Sequence, residues 1–168
     1  MIAMVAVDQA WGIGYQGELL VALPEDQKDT FKRFTYGHTI VYGRKTLCTF
    51  PGEKLLPGRT NIILSRDPNF TKEGATVLHS FEDVLAYDAE HLGEEIYLIG
   101  GAEVYAGLLP YCREAIVTRI HHTFSADAFF PNLDLDPSWI EDSRSDVVHS
   151  VRGYDFSVCR YLHLENPK

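Results

Sequence analysis

A short apolar run that passes through two adjacent glycines into a helical pattern constrains this chain more than any other stretch. Residues 96–109 read Ile-Tyr-Leu-Ile-Gly-Gly-Ala-Glu-Val-Tyr-Ala-Gly-Leu-Leu. The first four are β-branched, aromatic or aliphatic, which suits a strand buried on both faces. Beyond Gly100-Gly101 the period changes. Val104 and Leu108, like Tyr105 and Leu109, stand four apart, on one side of a helix that Pro110 stops. A strand that turns through glycines into a helix leaves bare backbone N–H groups and a positive dipole end above its carboxyl edge, a setting suited to a pyrophosphate. The same glycines could serve only to turn the chain, and this stretch alone leaves both readings open.

At 168 residues the chain is expected to be one domain, 1–168, with a core of its own. Cys48, Cys112 and Cys159 are odd in number, far apart and without a CxxC pair. They fit free thiols in a reducing cytoplasm, and neither a disulfide framework nor a zinc site. His121 and His122, adjacent on an expected strand, would face opposite sides, so no metal centre is expected. The apolar start has no basic flank and meets Asp8 at once, so no signal peptide is read, and no run is long enough to span a bilayer. A formal charge of −9 disfavours nucleic acid and anionic membrane as partners. Any local cluster of cations is the more informative for it.

Residues 1–7 read as a central strand. The following Trp11-Gly-Ile-Gly-Tyr-Gln-Gly17 matches GxGxxG by letter, but no helix start follows, so it reads instead as a glycine-jointed lid. Pro24, with Glu25 and Asp26 in the first turn, opens a helix to about Thr35. Strands are expected at 39–42, 60–64, 75–78 and 115–120. A helix from Ser80 carries a capping box with Asp83. Residues 139–151 and 154–164 form a hairpin around Arg152-Gly153. The alternation predicts a mostly parallel, twisted α/β sheet flanked by helices, closed by an antiparallel C-terminal hairpin. Ligands gather at the carboxyl ends of such strands, where Asp8, the lid, Gly43-Arg44, Ser65-Arg66, Gly100-Gly101 and the end of 115–120 converge.

Arg44, Lys45 and Arg66 directly follow two strands on an otherwise acidic chain. With the hydroxyl of Ser65 they suit a phosphate monoester. Together with the glycine pair this suggests a dinucleotide bearing an extra phosphate, NADP rather than NAD. Asp26 is either a helix-start acid or, if it faces the cleft, a lone carboxylate in apolar surroundings, able to hold an amidine-like group and support protonation. Thr118 would be its hydrogen-bonding neighbour. Arg59 is an exposed cation or a bidentate holder of a carboxylate.

The pieces Trp11-Gly-Ile-Gly14, Leu23-Pro-Glu-Asp26, Gly43-Arg-Lys-Thr46, Leu56-Pro-Gly-Arg-Thr-Asn-Ile-Ile-Leu-Ser65, Ile99-Gly-Gly-Ala-Glu-Val-Tyr105, Val117-Thr118 and Asp127 with Phe130-Pro131, in this order, resemble bacterial dihydrofolate reductase over essentially the whole chain. The resemblance implies a monomeric cytoplasmic enzyme that passes hydride from NADPH to C6 of dihydrofolate, with a proton to N5. It implies that Asp26 and Thr118 are catalytic and hold the pterin, that Ala3, Val5, Gln27, Phe31, Phe50, Leu56, Ile99 and Tyr105 surround the substrate, and that Arg59 grips the α-carboxylate of its glutamate tail. It assigns Val5, Ile13, Gly43, Arg44, Lys45, Thr46, Leu64, Ser65, Arg66, Gly100, Gly101, Ala102, Glu103, Val104 and Tyr105 to NADPH, with the Gly100-Gly101 bond cis. Two departures stand out. Leu20-Val21 replaces the family's Pro-Trp, and the span from Pro24 to Phe31 is one residue longer than usual. A π-type bulge after Asp26 would keep both Asp26 and Phe31 in place; otherwise Glu25 and Thr30 become the rivals. The alternatives are a same-fold reductase of riboflavin synthesis and a non-catalytic NADP-binding module.

Overall fold

The computed structural model describes residues 1–165. Its strands are β1 (Ile2–Val7), β2 (Gly12–Tyr15), β3 (Glu18–Leu19), β4 (Thr39–Gly43), β5 (Thr60–Leu64), β6 (Thr76–Leu78), β7 (Ile96–Gly100), β8 (Glu114–Ile120), β9 (Ala128–Phe129), β10 (Trp139–Arg144), β11 (Val148–His149) and β12 (Asp155–His163). The main sheet runs β10-β12-β8-β1-β7-β4-β5-β6, with β11 beside β12. From β8 to β6 every pair is parallel, while β12 joins β8 antiparallel and carries β10 at the edge.

The strand sequences explain the layering. Ile, Val and Leu on both faces of β1, β4, β7 and β8 require cover on both sides. Val5, Val41, Leu98 and Val117 pack with Val84, Val104 and Leu108 from the helices Phe81–Glu90 and Ala102–Leu108. Ile2, Met4, Ile40, Tyr42, Ile63 and Ile116 form the opposite layer, against Phe31, Leu47 and Phe50.

Three expectations are corrected. The lid is not irregular: β2 pairs antiparallel with β3 and with β9, making a small second sheet. Its partner β9 lies far along the chain, so no local pattern announces it. His121 and His122 lie past the end of β8, because the pairing with β12 stops at Ile120–Phe156. Ser80 caps its helix as expected, accepting from the Asp83 N–H at 3.1 Å. Asp83, however, reaches back to the N–H of His79 instead of the cap residue's own.

The helix at 24–35 settles the length question. It is α over Pro24–Asp26, π over Gln27–Lys32 and α again over Arg33–Thr35. The extra residue is absorbed by i→i+5 bonding, the bulge the spacing called for.

Candidate active site

A cleft of about 1410 Å³ opens above the carboxyl ends of β1, β4, β5, β7 and β8. It is lined by Asp26, Phe31, Phe50, Leu56, Arg59 and Thr118, and by Arg44, Lys45, Thr46, Ser65, Arg66 and the Gly100–Tyr105 segment. The lid residues Leu19, Leu20 and Val21 line it as well. Every site residue expected from sequence lines this cleft except Ala3. Ala3 is wholly buried, paired with Leu98 and Ala115, two positions deeper along β1 than Val5. Asp8 stays out too: its carboxylate accepts from the N–H groups of Ala10, Gly12 and Phe124, which ties the lid base to the chain near residue 124.

Asp26 points into the cleft. Thr118 Oγ donates to Asp26 Oδ1 at 2.6 Å, and Thr30, one turn along the helix, bonds the same carboxyl. Burial among Leu23, Val21 and Phe31 pushes this carboxyl above the ordinary aspartate range; the two hydroxyls pull in the opposite direction and do not cancel the effect. Glu25, its rival by register, faces away. It accepts from the Val151 N–H at 2.8 Å and from Ser150 Oγ at 2.7 Å, and those bonds hold it below the usual glutamate range. Phe31 and Thr30 both reach the cleft wall, so the π segment serves both ends.

Arg59 sits at the far end of the apolar half. Its Nε donates to Thr35 Oγ at 3.1 Å and its Nη1 to the Pro57 carbonyl at 2.8 Å. The guanidinium lies over Phe31 and Tyr36, 5.8 and 5.5 Å from the ring centroids. Among the described residues no carboxylate comes within 4.0 Å of it. A half-buried cation with neutral partners is fit to receive a carboxylate. Asn61 builds this corner: its amide donates to the Leu56 and Arg59 carbonyls and accepts from Tyr42 Oη. Beyond its place in the Leu56–Ser65 motif, nothing in the residues around Asn61 marks that role.

At the other half the floor is bare backbone. Gly100 has φ +125°, and the Gly100-Gly101 bond is cis. A Cβ on Gly101 would fill space 3.5 Å from Thr46 Oγ. Tyr105 anchors the helix behind this floor, its buried hydroxyl donating to the Met4 carbonyl at 2.6 Å. The cations are not as free as their spacing suggests. Arg44 lies 3.5 Å from Asp67 and over the Phe70 ring, and Arg66 is 2.9 Å from Glu103. Both pairs are exposed and so worth little, which leaves the cations open to a better anion. Lys45 has no carboxylate within 4.0 Å among the described residues. His79 was missed: its Nδ1 bonds the Ser65 carbonyl at 2.9 Å, so it lines the cleft beside Ser65, and nothing in its flanking sequence marks it.

Across the lid, Gln16 N–H donates to Asp127 Oδ2 at 3.0 Å and Asp127 N–H to the Gly14 carbonyl at 3.0 Å. Among the described residues no helix is long and apolar enough to cross a membrane, and no three His, Cys, Asp or Glu side chains gather as a metal site.

Comparison with known proteins matches residues 1–163 to the family model described as dihydrofolate reductase. A dihydrofolate reductase of Bacillus subtilis (strain 168) is 36% identical over 169 aligned positions, covering 100% of this chain and 98% of its own. One from Staphylococcus haemolyticus is 35% identical, covering 96% of this chain and 92% of its own. The structure of a dihydrofolate reductase from Enterococcus faecalis, complexed with NADP(H) and RAB-propyl, superposes with a TM-score of 0.85 at 35% identity, over 96% of this chain and 95% of that one.

Proposed function

The chain belongs to the dihydrofolate reductase family and reduces 7,8-dihydrofolate to 5,6,7,8-tetrahydrofolate with NADPH; we propose that it does so through one carboxyl, that of Asp26. The observation that carries this is the 2.6 Å Thr118–Asp26 bond inside a cleft that is also lined by the Arg59 guanidinium and the Gly100-Gly101 backbone. Asp26 accepts from the amino group and ring N–H of the pterin, and its proton affinity, raised by burial, suits it to support protonation at N5. Thr118 fixes which oxygen is free. Phe31, Phe50 and Leu56 enclose the aminobenzoyl group, and Arg59 takes the α-carboxylate of the tail.

The residues present fit a phosphorylated dinucleotide. Arg44, Lys45, Ser65 and Arg66 would hold its terminal phosphate, while the glycine floor and Thr46 leave room for its pyrophosphate. When bound, NADPH supplies the hydride for C6. Leu20 and Val21, where a tryptophan is usual, exclude water from the cleft by apolar cover alone. Phe50, Leu56 and Arg59 argue against the riboflavin-pathway alternative, whose substrate would call for a second phosphate contact there. The protein acts, in this reading, as a cytoplasmic monomer of one domain.

The test is NADPH oxidation on adding dihydrofolate to the purified protein, with NADH in parallel and Asp26→Asn beside the native chain. Rapid oxidation, strong NADPH preference and at least about a hundredfold loss in the variant are expected. An Asp26→Asn protein with native turnover would falsify the assignment.

A further inference from the structure

The lid is rooted in a strained turn. Trp11 has φ +63°, a left-handed conformation that a bulky aromatic residue avoids and that persists only where its surroundings over-determine it. The Trp11 N–H closes the turn on the Asp8 carbonyl at 3.1 Å, and a Cβ on the next residue, Gly12, would come within 2.7 Å of Ala126 Cβ. The indole is held by side chains for which the proposed reaction has no use. The Arg119 guanidinium lies 4.5 Å from the Trp11 ring, while Phe130 stacks on it at 6.2 Å and Tyr161 meets it edge-on at 6.0 Å. The arginine is itself fixed. Its Nη1 donates to Asp134 Oδ2 at 3.0 Å and to Tyr161 Oη at 2.9 Å, and Tyr161 Oη donates to Asp134 Oδ1 at 2.7 Å. Burial pushes the Tyr161 phenol well above its ordinary range, so its hydroxyl stays a donor. None of Trp11, Arg119, Phe130, Asp134 and Tyr161 lines the cleft, yet Ile13, two residues past Trp11, does so together with Gly14 and Tyr15.

We propose that Arg119 is a positioning residue for the lid: by clamping Trp11 it holds β2 where Ile13 and Gly14 form one wall of the cleft. The inference rests on the reduction of dihydrofolate in that cleft. Successive residues of a strand face opposite sides, so β8 presents Thr118 to Asp26 and Arg119 to Trp11. One strand thus carries the partner of the acid and the seat of the lid a single residue apart. A guanidinium forked between a carboxylate and a phenol, and largely withdrawn from water, holds an aromatic face harder than an apolar side chain of similar size does. Phe130 carries the contact onward, since its ring meets that of Tyr105 at 4.9 Å, and the Tyr105 hydroxyl would lie 3.6 Å from a Cβ on Gly100. Without Arg119 the left-handed turn loses a restraint. Trp11 then leaves its slot part of the time, and the lid covers the reacting atoms in a smaller fraction of molecules.

The experiment uses a Trp139→Phe background, which leaves Trp11 as the single tryptophan of the chain. Acrylamide quenching of Trp11 reads the clamp, and single-turnover oxidation of bound NADPH by dihydrofolate reads the lid. Arg119→Leu is expected to raise the quenching constant at least about threefold and to slow hydride transfer about tenfold, with Kd for dihydrofolate held within about twofold. Tyr161→Phe keeps the ring and removes the hydroxyl that Arg119 and Asp134 share. It should move both readouts the same way, by about threefold in rate, and it decides the matter if Arg119→Leu does not fold. A native hydride rate in the folded variants overturns the inference, and so does a slowed rate with Trp11 still shielded, which would place the effect at Thr118 instead. Oxidation by the unsubstituted chain reports on the reaction itself, and quenching needs no substrate, so failure of the clamp and failure of the proposed function are read apart.

Discussion

The Asp26 carboxyl, proposed above as the acid of the reaction, holds its raised proton affinity at the expense of stability. Its folded-state proton affinity is raised by burial, so folding favours the protonated form. That contribution is fully present below the ordinary aspartate value of about 3.9 and is lost as pH rises through the higher folded value. At neutral pH the ionised carboxylate is a net cost that an asparagine does not carry. Asp26→Asn should therefore unfold at a higher temperature than the native chain at pH 7, by about 2–4 °C for each kcal/mol relieved, with the gap closing toward pH 4. Thermal scans at several pH values check this. Thr118→Val removes a hydroxyl that lowers the same proton affinity, so the acid limb of the kcat profile should move upward in pH, with turnover reduced by about tenfold. An unmoved profile would show that Thr118 only fills space. The sequence pointed to Asp26, with Glu25 as its rival by register. The choice depends on helix register, and register here is set by a tertiary contact: the turn at Ser150–Val151 that claims Glu25.

The helix carrying that acid is an instance of local grammar giving way to tertiary demand. Its start, its acidic first turn and its approximate end were legible in Pro24-Glu-Asp26 and Thr35; the π segment was legible only as a surplus residue against related chains. Because i→i+5 bonding spends that surplus, deleting Asp29 should restore an ordinary helix with Asp26 and Phe31 four apart and still on the cleft side. Turnover is expected to fall less than about tenfold in the deletion, whereas an alanine inserted after Asp29 rotates one end by about 100° and abolishes it. Steady-state assays of the pair decide. The turn before β5 is equally demanding. Gly58 has φ +77°, and a Cβ there would come within 2.2 Å of Tyr36 Cε2. Gly58→Ala should displace Tyr36, loosen the seat of Arg59 and raise KM for dihydrofolate by about tenfold while sparing kcat. The small sheet of β2, β3 and β9 was invisible beforehand, since its strands are short and glycine-rich and its closing pairs are Gly12–Phe129 and Gly14–Ala128.

Over the whole molecule, the parallel order was readable because alternating strand and helix patterns admit few topologies, and the site followed from the rule that ligands collect at the carboxyl edge. What stayed hidden were the partnerships of the charged groups. Spacing showed Arg44 and Arg66 as unopposed cations, but the fold brings Asp67 and Glu103 beside them. If the proposed cofactor site is right, Asp67 and Glu103 compete with the incoming phosphate for these cations at the surface. Raising ionic strength from about 0.05 to about 0.5 M should increase KM for NADPH several-fold and change kcat little. A salt-independent KM would place the cations outside the cofactor site. The sheet order has a last implication, for synthesis. β1 lies at the centre, yet Ile2 pairs with Tyr97 and Glu114, and β8 in turn is covered by β12. At a ribosomal pace of about 5–20 residues per second, the first strand to emerge waits on the order of 5 to 20 s for its neighbours. During that interval an apolar hexapeptide stands bare in the cell, a natural client for chaperones, and the nascent chain completes its sheet only when its last strand is released.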